Sequence, residues 1–491
     1  MWYKYLCRVC RTAGTCPLGA GLAALVLAAS VGAAGTWNVS NMTGFDDAMR
    51  NLSPGDTVIM QPGTYDFTTR HGYYITTSGV TIRGATGNRD DVTIWAGGIN
   101  NPSGVYEPLQ LAAPDITLRD LTISGAYHHA IHFQNGADRA RVRNVKTLNI
   151  GEHHMKGVRF VDDGVIEYCL LEQTEVRQNG LSGRPDNYIG GIDLLGARGW
   201  SIRDNVARDV KAADAGYGDA GIFLWQDIED CVVERNIVVG CNKGIAIGNP
   251  SYTGDFHADD TVVRNNFIVR GDDIGLELCY TRNVQAYHNT VYGDDGNYFR
   301  AVHIYDNSSV RTVDLDLANN LIRGKIFRNA GGTWTERGNI EGTTAATSWF
   351  VGPAAGDLHL TASAAAAVDG GVAGLGVGED HDTGARDAAP DVGADEYLTP
   401  WPGDGNRDGT VDVLDLAGLA NNFGLVQTAA WTHGDFNRDF AVDVLDLAVV
   451  ANNFGHTDGG AAPAPAPGAL AVLLAGAPLL ARRRFPRRRR T

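Results

Sequence analysis

From about Pro114 to Gly324 the chain repeats an irregular unit of 23 to 36 residues. Each unit opens, after a Gly or Ala, with a short alternating segment: AIHFQ (130–134), GVRFV (157–161), GIDLL (191–195), GIFLW (221–225), GIAIG (244–248), GLELC (275–279) and AVHIY (301–305). A second segment follows and ends in a polar bend: SIRDNV, VVERNI, VVRNNF, QAYHNT and DLANNL. Alternation at period two sends every second side chain to one face. Short units of this kind, joined by loops of unequal length, bury that face by stacking on one another. The pattern therefore predicts an all-β parallel solenoid. Asn205, Asn236, Asn266, Asn289 and Asn320 recur at one bend. Asn tolerates left-handed backbone angles and its amide can bond to the next turn, so a ladder of asparagines is expected there.

In a strand written Gly-apolar-X-apolar, X faces outward. Down the stack X reads His132, Arg159, Asp193, Phe223, Ala246, Glu277 and His303. With neighbouring strands about 4.8 Å apart, His132, Arg159 and Asp193 are expected along one strip roughly 10 Å long. Two places further on come Gln134, Val161, Leu195, Trp225, Gly248, Cys279 and Tyr305. Phe223 and Trp225 then stand beside the small Ala246 and Gly248, an aromatic step that suits the apolar face of a sugar ring. The residue before each strand adds His129, Lys156, Lys243 and Arg300 along the same edge, with His128, His153 and His154 in the loops that feed it. Phe223, Trp225, Lys243, Glu277, His303 and Tyr305 are the candidate substrate contacts. The HHAIH and EHH segments could hold a metal, but solvated loop histidines are the simpler reading.

Near the C-terminus one twelve-residue pattern occurs twice, as DGNRDGTVDVLD (404–415) and DFNRDFAVDVLD (435–446), starting 31 residues apart. Positions 1, 3, 5, 9 and 12 are Asp404, Asn406, Asp408, Asp412 and Asp415 in the first copy, and Asp435, Asn437, Asp439, Asp443 and Asp446 in the second. Thr410 and Ala441 hold position 7, where a backbone carbonyl serves. This is the spacing of oxygen ligands around Ca2+. Each loop runs into an apolar, helix-like stretch, LAGLANNFG or LAVVANNFG. The pair resembles a dockerin, a small all-α module of paired calcium loops and helices. The resemblance implies a cohesin-like protein domain as partner, met through Val413-Leu414 and Val444-Leu445. Position 6, where the turn is sharp, carries the expected Gly409 in the first loop but Phe440 in the second, so the second loop is expected to bind calcium more weakly.

The repeated stretch resembles the right-handed parallel β-helix proteins, the group that holds pectate lyases, polygalacturonases and alginate-lyase types. Two flanks extend the likeness. FDDAMRNLSPGDTVIMQPGTY (45–65) looks like an amphipathic helix covering the open end, followed by a first strand. WFVGPAAGDLHLTASAAAAVDGG and DVGADEY (349–397) resemble a closing module of secreted β-helix proteins, with Ser363 and four alanines where that module usually has Ser-Pro-Ala. The resemblance implies action on an extracellular, possibly uronic-acid, polysaccharide. A β-eliminating lyase must neutralise a carboxylate, remove the proton at C5 and protonate the leaving oxygen. On that reading Lys156 or His132 is the base, Arg159 the carboxylate partner, and Asp193 or Asp219 a calcium ligand. A hydrolase needs paired carboxylates, available as Asp259-Asp260, Asp272-Asp273 and Asp294-Asp295, but the Gly-His-Gly and Arg-Ile-Lys signatures of polygalacturonases are missing. The alternative from another class is a non-catalytic carbohydrate-binding or cell-surface scaffold protein.

The ends read as processing segments. Residues 1–34 carry Lys4, Arg8 and Arg11, an apolar run from Leu18 to Val31 and then small residues, the order of a secretory signal. After a Pro-punctuated stretch, Gly468 to Ala481 is apolar and seven arginines follow. Fourteen residues are short for a membrane span. The order resembles a PEP-CTERM-type sorting tail, with transient membrane contact, although Ala464 and Ala466 stand where that motif has Glu. Without these ends 31 basic side chains face 57 acidic ones, a net charge of −26. Such a surface repels nucleic acid. The four remaining cysteines, Cys169, Cys231, Cys241 and Cys279, are too scattered for a disulfide framework and read as buried small residues. The expected organisation is a signal (1–34), a capped β-helix (35–340), a closing module (341–399), a dockerin-like module (400–456) and a linker with sorting tail (457–491), in a protein that is secreted or held at the cell surface.

Overall fold

A computed structural model describes residues 34–68, 72–177, 188–213, 218–252, 254–397, 401–406, 409–426, 431–437 and 439–457. The expected signal, the sorting tail and Asp408 lie outside these residues. The chain folds as a right-handed parallel β-helix in which a typical turn contributes three short strands. One face is a ten-stranded parallel sheet, running from Tyr73–Ile75 through Leu109–Leu111, Ile131–Phe133, His153–Gly157, Gly190–Leu195, Ala220–Trp225, Lys243–Ile247, Leu276–Cys279 and Val302–Tyr305 to Ile326–Asn329. Two further parallel ladders complete each turn, for example Ser201–Arg203 on Val232–Glu234 and Val206–Arg208 on Ile237–Val239. Among the described residues no helix is long and apolar enough to cross a membrane.

Inward positions stack apolar side chains in columns. Ile131, Met155, Ile192, Ile222, Ile245, Leu276, Val302 and Ile326 form one such column by direct strand register. All are buried. The N-terminal end is closed by the helix Met42–Arg50, capped by Asn41, whose side chain accepts from Gly44 N. Its Phe45 packs on the rings of Tyr65, Phe67 and Tyr73.

The asparagine ladder is present. In each step an asparagine donates from its backbone N–H and its Nδ2 to the Oδ1 of the next: Asn205 to Asn236, Asn236 to Asn266, Asn266 to Asn289, Asn289 to Asn320 and Asn320 to Asn339, all at 2.8–3.2 Å. Each amide also donates inward to a carbonyl, as Asn236 Nδ2 does to Ile202 O at 2.9 Å. The left-handed residue at each bend is, however, the one before the asparagine: Asp204, Arg235, Asn265, His288 and Asn319 have φ between 50 and 57°. The asparagine itself contributes the hydrogen bonds and its neighbour takes the backbone turn. The four cysteines are buried and free.

The closing segment (349–397) packs on the outside of the solenoid, with Leu358, Leu360, Ala364, Ala367 and Val392 against Val206, Ile237, Phe267, Tyr292 and Leu321. It has little regular structure, so buried carboxylates satisfy its backbone. Asp380 accepts from Asp382 N and Gly384 N, Asp391 from Asp369 N and Tyr397 N, and Asp395 from Leu360 N. His359 sits among them, its Nδ1 2.5 Å from Asp357 and its Nε2 3.0 Å from Asp382. Burial opposes a charge on this imidazole, but Asp382, Asp395 and Asp357 hold its pKa well above the ordinary value.

Two outcomes are expected. Asn266→Ala removes bonds on both sides of one bend and should lower stability by about 2–4 kcal/mol, since each buried polar group left unpaired costs about 1–3; thermal unfolding measures it. His359→Asn should also destabilise. A histidine whose pKa is raised by folding contributes its full stabilisation below the unfolded value near 6.5 and loses it as pH rises through the raised folded value. The difference in Tm between the two proteins should thus be largest in mild acid and shrink as pH climbs into the alkaline range. A gap that widens with pH would contradict the assignment.

Candidate functional site

On the ten-stranded face the outward column reads Gln110, His132, Lys156, Asp193, Phe223, Ala246, Glu277, His303 and Phe327. Lys156, not Arg159, therefore lies between His132 and Asp193. The rung that alternation placed at 157–161 is His153–Gly157, and Arg159 falls in the following turn, exposed. The inward place after Lys156 is held by Gly157, where a Cβ would meet Leu194 Cδ2 at 2.7 Å, so this rung has no large apolar residue to mark its register. His153 and His154, expected in loops, are buried strand residues.

Lys156 Nζ donates to Asp193 Oδ2, and Asp193 Oδ1 accepts from Trp225 Nε1 at 3.0 Å. His153 Nε2 lies 3.2 Å from Asp193 Oδ2 and 3.1 Å from Asp219 Oδ2. Tyr188 completes the group, with its ring 4.4 Å from that of His153 and its centroid 5.7 Å from Lys156 Nζ. Burial favours neutral Lys156, yet the charge of Asp193 and the contact with Tyr188 raise its pKa above the ordinary value. The pairing with Asp193 thus favours its ammonium form.

One rung earlier, His132 Nδ1 lies 3.1 Å from Glu107 Oε1 and 3.0 Å from Gln134 Nε2, which also donates to Gln110 Oε1. His129 accepts from His153 N on its Nδ1, placing its proton on Nε2, 3.6 Å from Glu152 Oε2. Burial, with neighbouring His153, His132 and Lys156, drives the His129 pKa well below the ordinary value, so it stays neutral. Tyr188, Glu107 and His153 were not singled out from the sequence as acting residues, because loops and a displaced rung bring them here.

Three sequence expectations change. Phe223 and Trp225 are only 5 and 9% exposed, stacked at 5.2 Å and packed with Leu195, Ala220 and Ala246, so they form a buried base and not an open platform. Lys243, Glu277, His303 and Tyr305 belong to a separate group further along. There Lys243 Nζ bonds Glu277 Oε2 at 2.9 Å, His303 Nδ1 lies 3.2 Å from Glu277 Oε1, and Tyr305 adjoins His303. Calcium on Asp193 or Asp219 does not fit: the donors are two carboxylates and an imidazole, one oxygen already carries the Lys156 ammonium, and Ca2+ wants six to eight oxygens. Of the hydrolase pairs, Asp259 is bound by Arg282 and Asp273 by Arg300.

The twin loops have matching geometry. Asp415 Oδ1 accepts from Gly405 N and Asn406 N as Asp446 Oδ1 does from Phe436 N and Asn437 N. Asp412 and Asp443 cap the helices Val413–Asn422 and Val444–Asn453, each in a capping box with Asp415 or Asp446. Asp404, Asp415, Asp435 and Asp446 are buried. Burial, together with Asp446 and Asp439, pushes the Asp435 carboxyl up to about 7. Carboxylates gathered this way call for a cation, and the donor set fits Ca2+. At position 6 Gly409 has φ 82° and Phe440 φ 64°. A non-glycine residue there costs roughly 1–2 kcal/mol. The Phe440 ring packs against the core of the closing segment, which accounts for an apolar residue at a glycine position. Arg89 donates to Val426 O, and the Tyr168 ring lies 5.2 Å from His433, so the module also meets the solenoid.

Residues 109–324 match the family described as right handed beta helix region, and 402–455 match the dockerin type I domain. Among solved structures, the crystal structure of pectate lyase Pel9A is similar at 13% identity and a TM-score of 0.51, covering 75% of this chain and 98% of that one. The crystal structure of alginate lyase from Paenibacillus sp. str. FPU-7 is similar at 15% identity and a TM-score of 0.35, covering 61% of this chain and 98% of that one. At 13% identity the likeness to pectate lyase Pel9A is one of fold alone. No curated protein matches. Fold and modules together define a right-handed parallel β-helix that carries a dockerin type I domain.

Calcium should order the 401–457 module, because binding free energy in such small loops is folding free energy. Chelator is expected to abolish its helical circular dichroism while the solenoid remains. Asp404→Ala should weaken calcium binding more than Phe440→Gly, which relieves the left-handed strain; calorimetry on the full chain decides the order.

Proposed function

We propose that the protein acts on a uronic-acid-containing polysaccharide outside the cell and is docked to a cohesin-like partner through its dockerin module. The observation that carries the catalytic part is the convergence of Lys156, Asp193, His153, Tyr188 and His132 on one solenoid face. The docking part rests on Val413, Leu414, Val444 and Leu445, all of which are exposed at equivalent places on the two helices.

In a β-elimination the C5 proton passes to a base, the C4–C5 double bond forms, and the C4–oxygen bond breaks as the leaving oxygen gains a proton. His132 is the proposed base, and the charged Lys156 meets the substrate carboxylate by exchanging with Asp193. Tyr188, beside both Lys156 and His153, gives its own phenolic proton to the leaving oxygen, and after product release solvent reprotonates it while His132 loses the C5 proton to solvent. Arg159 takes no part in this assignment. The Lys156–Asp193 pair also supports a second reading, a non-catalytic binding face, because a buried ammonium already matched by a carboxylate has no free charge to offer.

The test is incubation of the purified protein with polygalacturonate and with alginate, followed by absorbance of unsaturated uronate and by reducing ends. Rising absorbance that His132→Ala and Tyr188→Phe each reduce by at least about 10²-fold is the expected result. Reducing ends alone would replace the lyase assignment with a hydrolase. Retention on the polymer with neither signal would leave the binding reading in its place.

A further inference from the structure

The aromatic platform missing at Phe223 and Trp225 reappears at the two ends of the strip. Tyr106 is 46% exposed and Tyr252 is 52% exposed. Neither is a loose side chain. Tyr106 lies 4.4 Å from the His128 ring and 4.9 Å from the Tyr127 ring, and the Arg177 guanidinium covers Tyr127 at 4.5 Å. Tyr252 lies 4.8 Å from Trp225, itself stacked on Phe223. Each exposed ring therefore rests on a buried aromatic base.

Both bases connect to the candidate centre without a break. From Tyr106 the contacts run through His128 to His129, to His153 at 5.5 Å, and to Tyr188 at 4.4 Å, beside Lys156. From Tyr252 they run through Trp225 to Asp193, which Lys156 holds. Tyr106 precedes the strand Leu109–Leu111, and Tyr252 leans on the strand Ala220–Trp225. Those strands are four steps apart in the sheet, through Ile131–Phe133, His153–Gly157 and Gly190–Leu195. At the usual interstrand spacing these strands are roughly 19 Å apart, and Lys156 stands on the strand midway between them.

We propose that Tyr106 and Tyr252 are paired outer subsites that stack on sugar rings on either side of Lys156, so that the protein binds an internal stretch of an extended polysaccharide chain and not its end. The span is too long for a disaccharide to reach both rings, and an aromatic face binds the C–H face of a pyranose whatever its charge. The central polar residues supply the discrimination and the tyrosines supply length. This proposal rests on the polysaccharide reading above and adds chain length to it.

The experiment is calorimetric titration of the full-length protein with a hexasaccharide and a disaccharide prepared from polygalacturonate and from alginate. Wild type is expected to bind a hexasaccharide far more tightly than the matching disaccharide. Tyr106→Ala and Tyr252→Ala should each weaken hexasaccharide binding about three- to tenfold and leave disaccharide binding nearly unchanged. Tyr106→Phe and Tyr252→Phe, which keep the ring, should restore it. Both tyrosines sit at the surface, and the thermal unfolding of each variant checks that the fold is intact. Equal affinity for the two lengths, or hexasaccharide binding indifferent to both alanine variants, overturns the paired subsites alone. Binding of neither polymer's hexasaccharide by the wild type overturns the paired subsites and the uronate reading together.

Discussion

The outward column of this face is held in place by the parallel pairing of one rung with the next. His132, Lys156 and Asp193 are separated by 24 and 37 positions along the chain, yet direct register makes them neighbours in one column. The asparagine bonds at the bend reinforce that register, because each amide is shared between two rungs and fits only one alignment. A slip by one residue would turn the whole column inward, exposing the apolar stack and burying the charges. Inward packing and outward chemistry are therefore one constraint expressed on two faces of the same strand.

That constraint explains what was legible in the sequence and what was not. Where a rung carries apolar residues at both inward places, as in GIDLL and GIFLW, alternation locates it correctly, and Asp193 and Phe223 stand where expected. The rung His153–Gly157 has Met155 and then Gly157 inward, with Leu194 filling the space a side chain would take. Its polar residues His153, His154 and Lys156 outnumber its one large apolar residue, and the more hydrophobic Val158–Val161 mimics a rung where there is none. Arg159 was thereby exchanged for Lys156. Exposure misleads in another way: Phe223 and Trp225 do face outward, but small neighbours and loops let them pack on each other. Loop residues such as Tyr106, Glu107, Tyr188 and Tyr252 carry no periodic signal, so only the fold brings them to the site. The calcium-loop pattern is legible from sequence because its expected ligands lie within twelve consecutive residues and need no tertiary information, whereas the reason for Phe440 comes from packing.

An acidic chain must place its carboxylates without paying for each in stability, and this one uses them in three ways. In the closing segment they replace a missing ladder by accepting from backbone N–H groups, with His359 as the internal counter-charge. In the twin loops they converge at an expected cation site, and burial with Asp446 and Asp439 pushes the Asp435 carboxyl up to about 7. On the solenoid corners they bind arginines of adjacent turns, as Glu167 does with Arg143 and Arg203. The first two are buried and structural, whereas the third is partly exposed and contributes little for each pair.

The Lys156–Asp193 pair belongs to none of these groups, and its position separates the chemistry that is feasible here from that which is not. A buried ammonium bonded to a carboxylate cannot accept a proton, so a mechanism with Lys156 as base must first move Asp193 away. Asp193 is tethered by Trp225 on its other oxygen and flanked by His153, itself beside Asp219. An anionic substrate group entering next to Lys156 would compete with Asp193 for the same ammonium, and His153 lies within reach to take up the carboxylate released. On the proposed reading the pair would open only for an anion in the right position, and a neutral sugar would leave it closed. On that reading, a preference for uronate would arise from the cost of separating Lys156 from Asp193, a cost that an incoming carboxylate offsets and a neutral sugar does not.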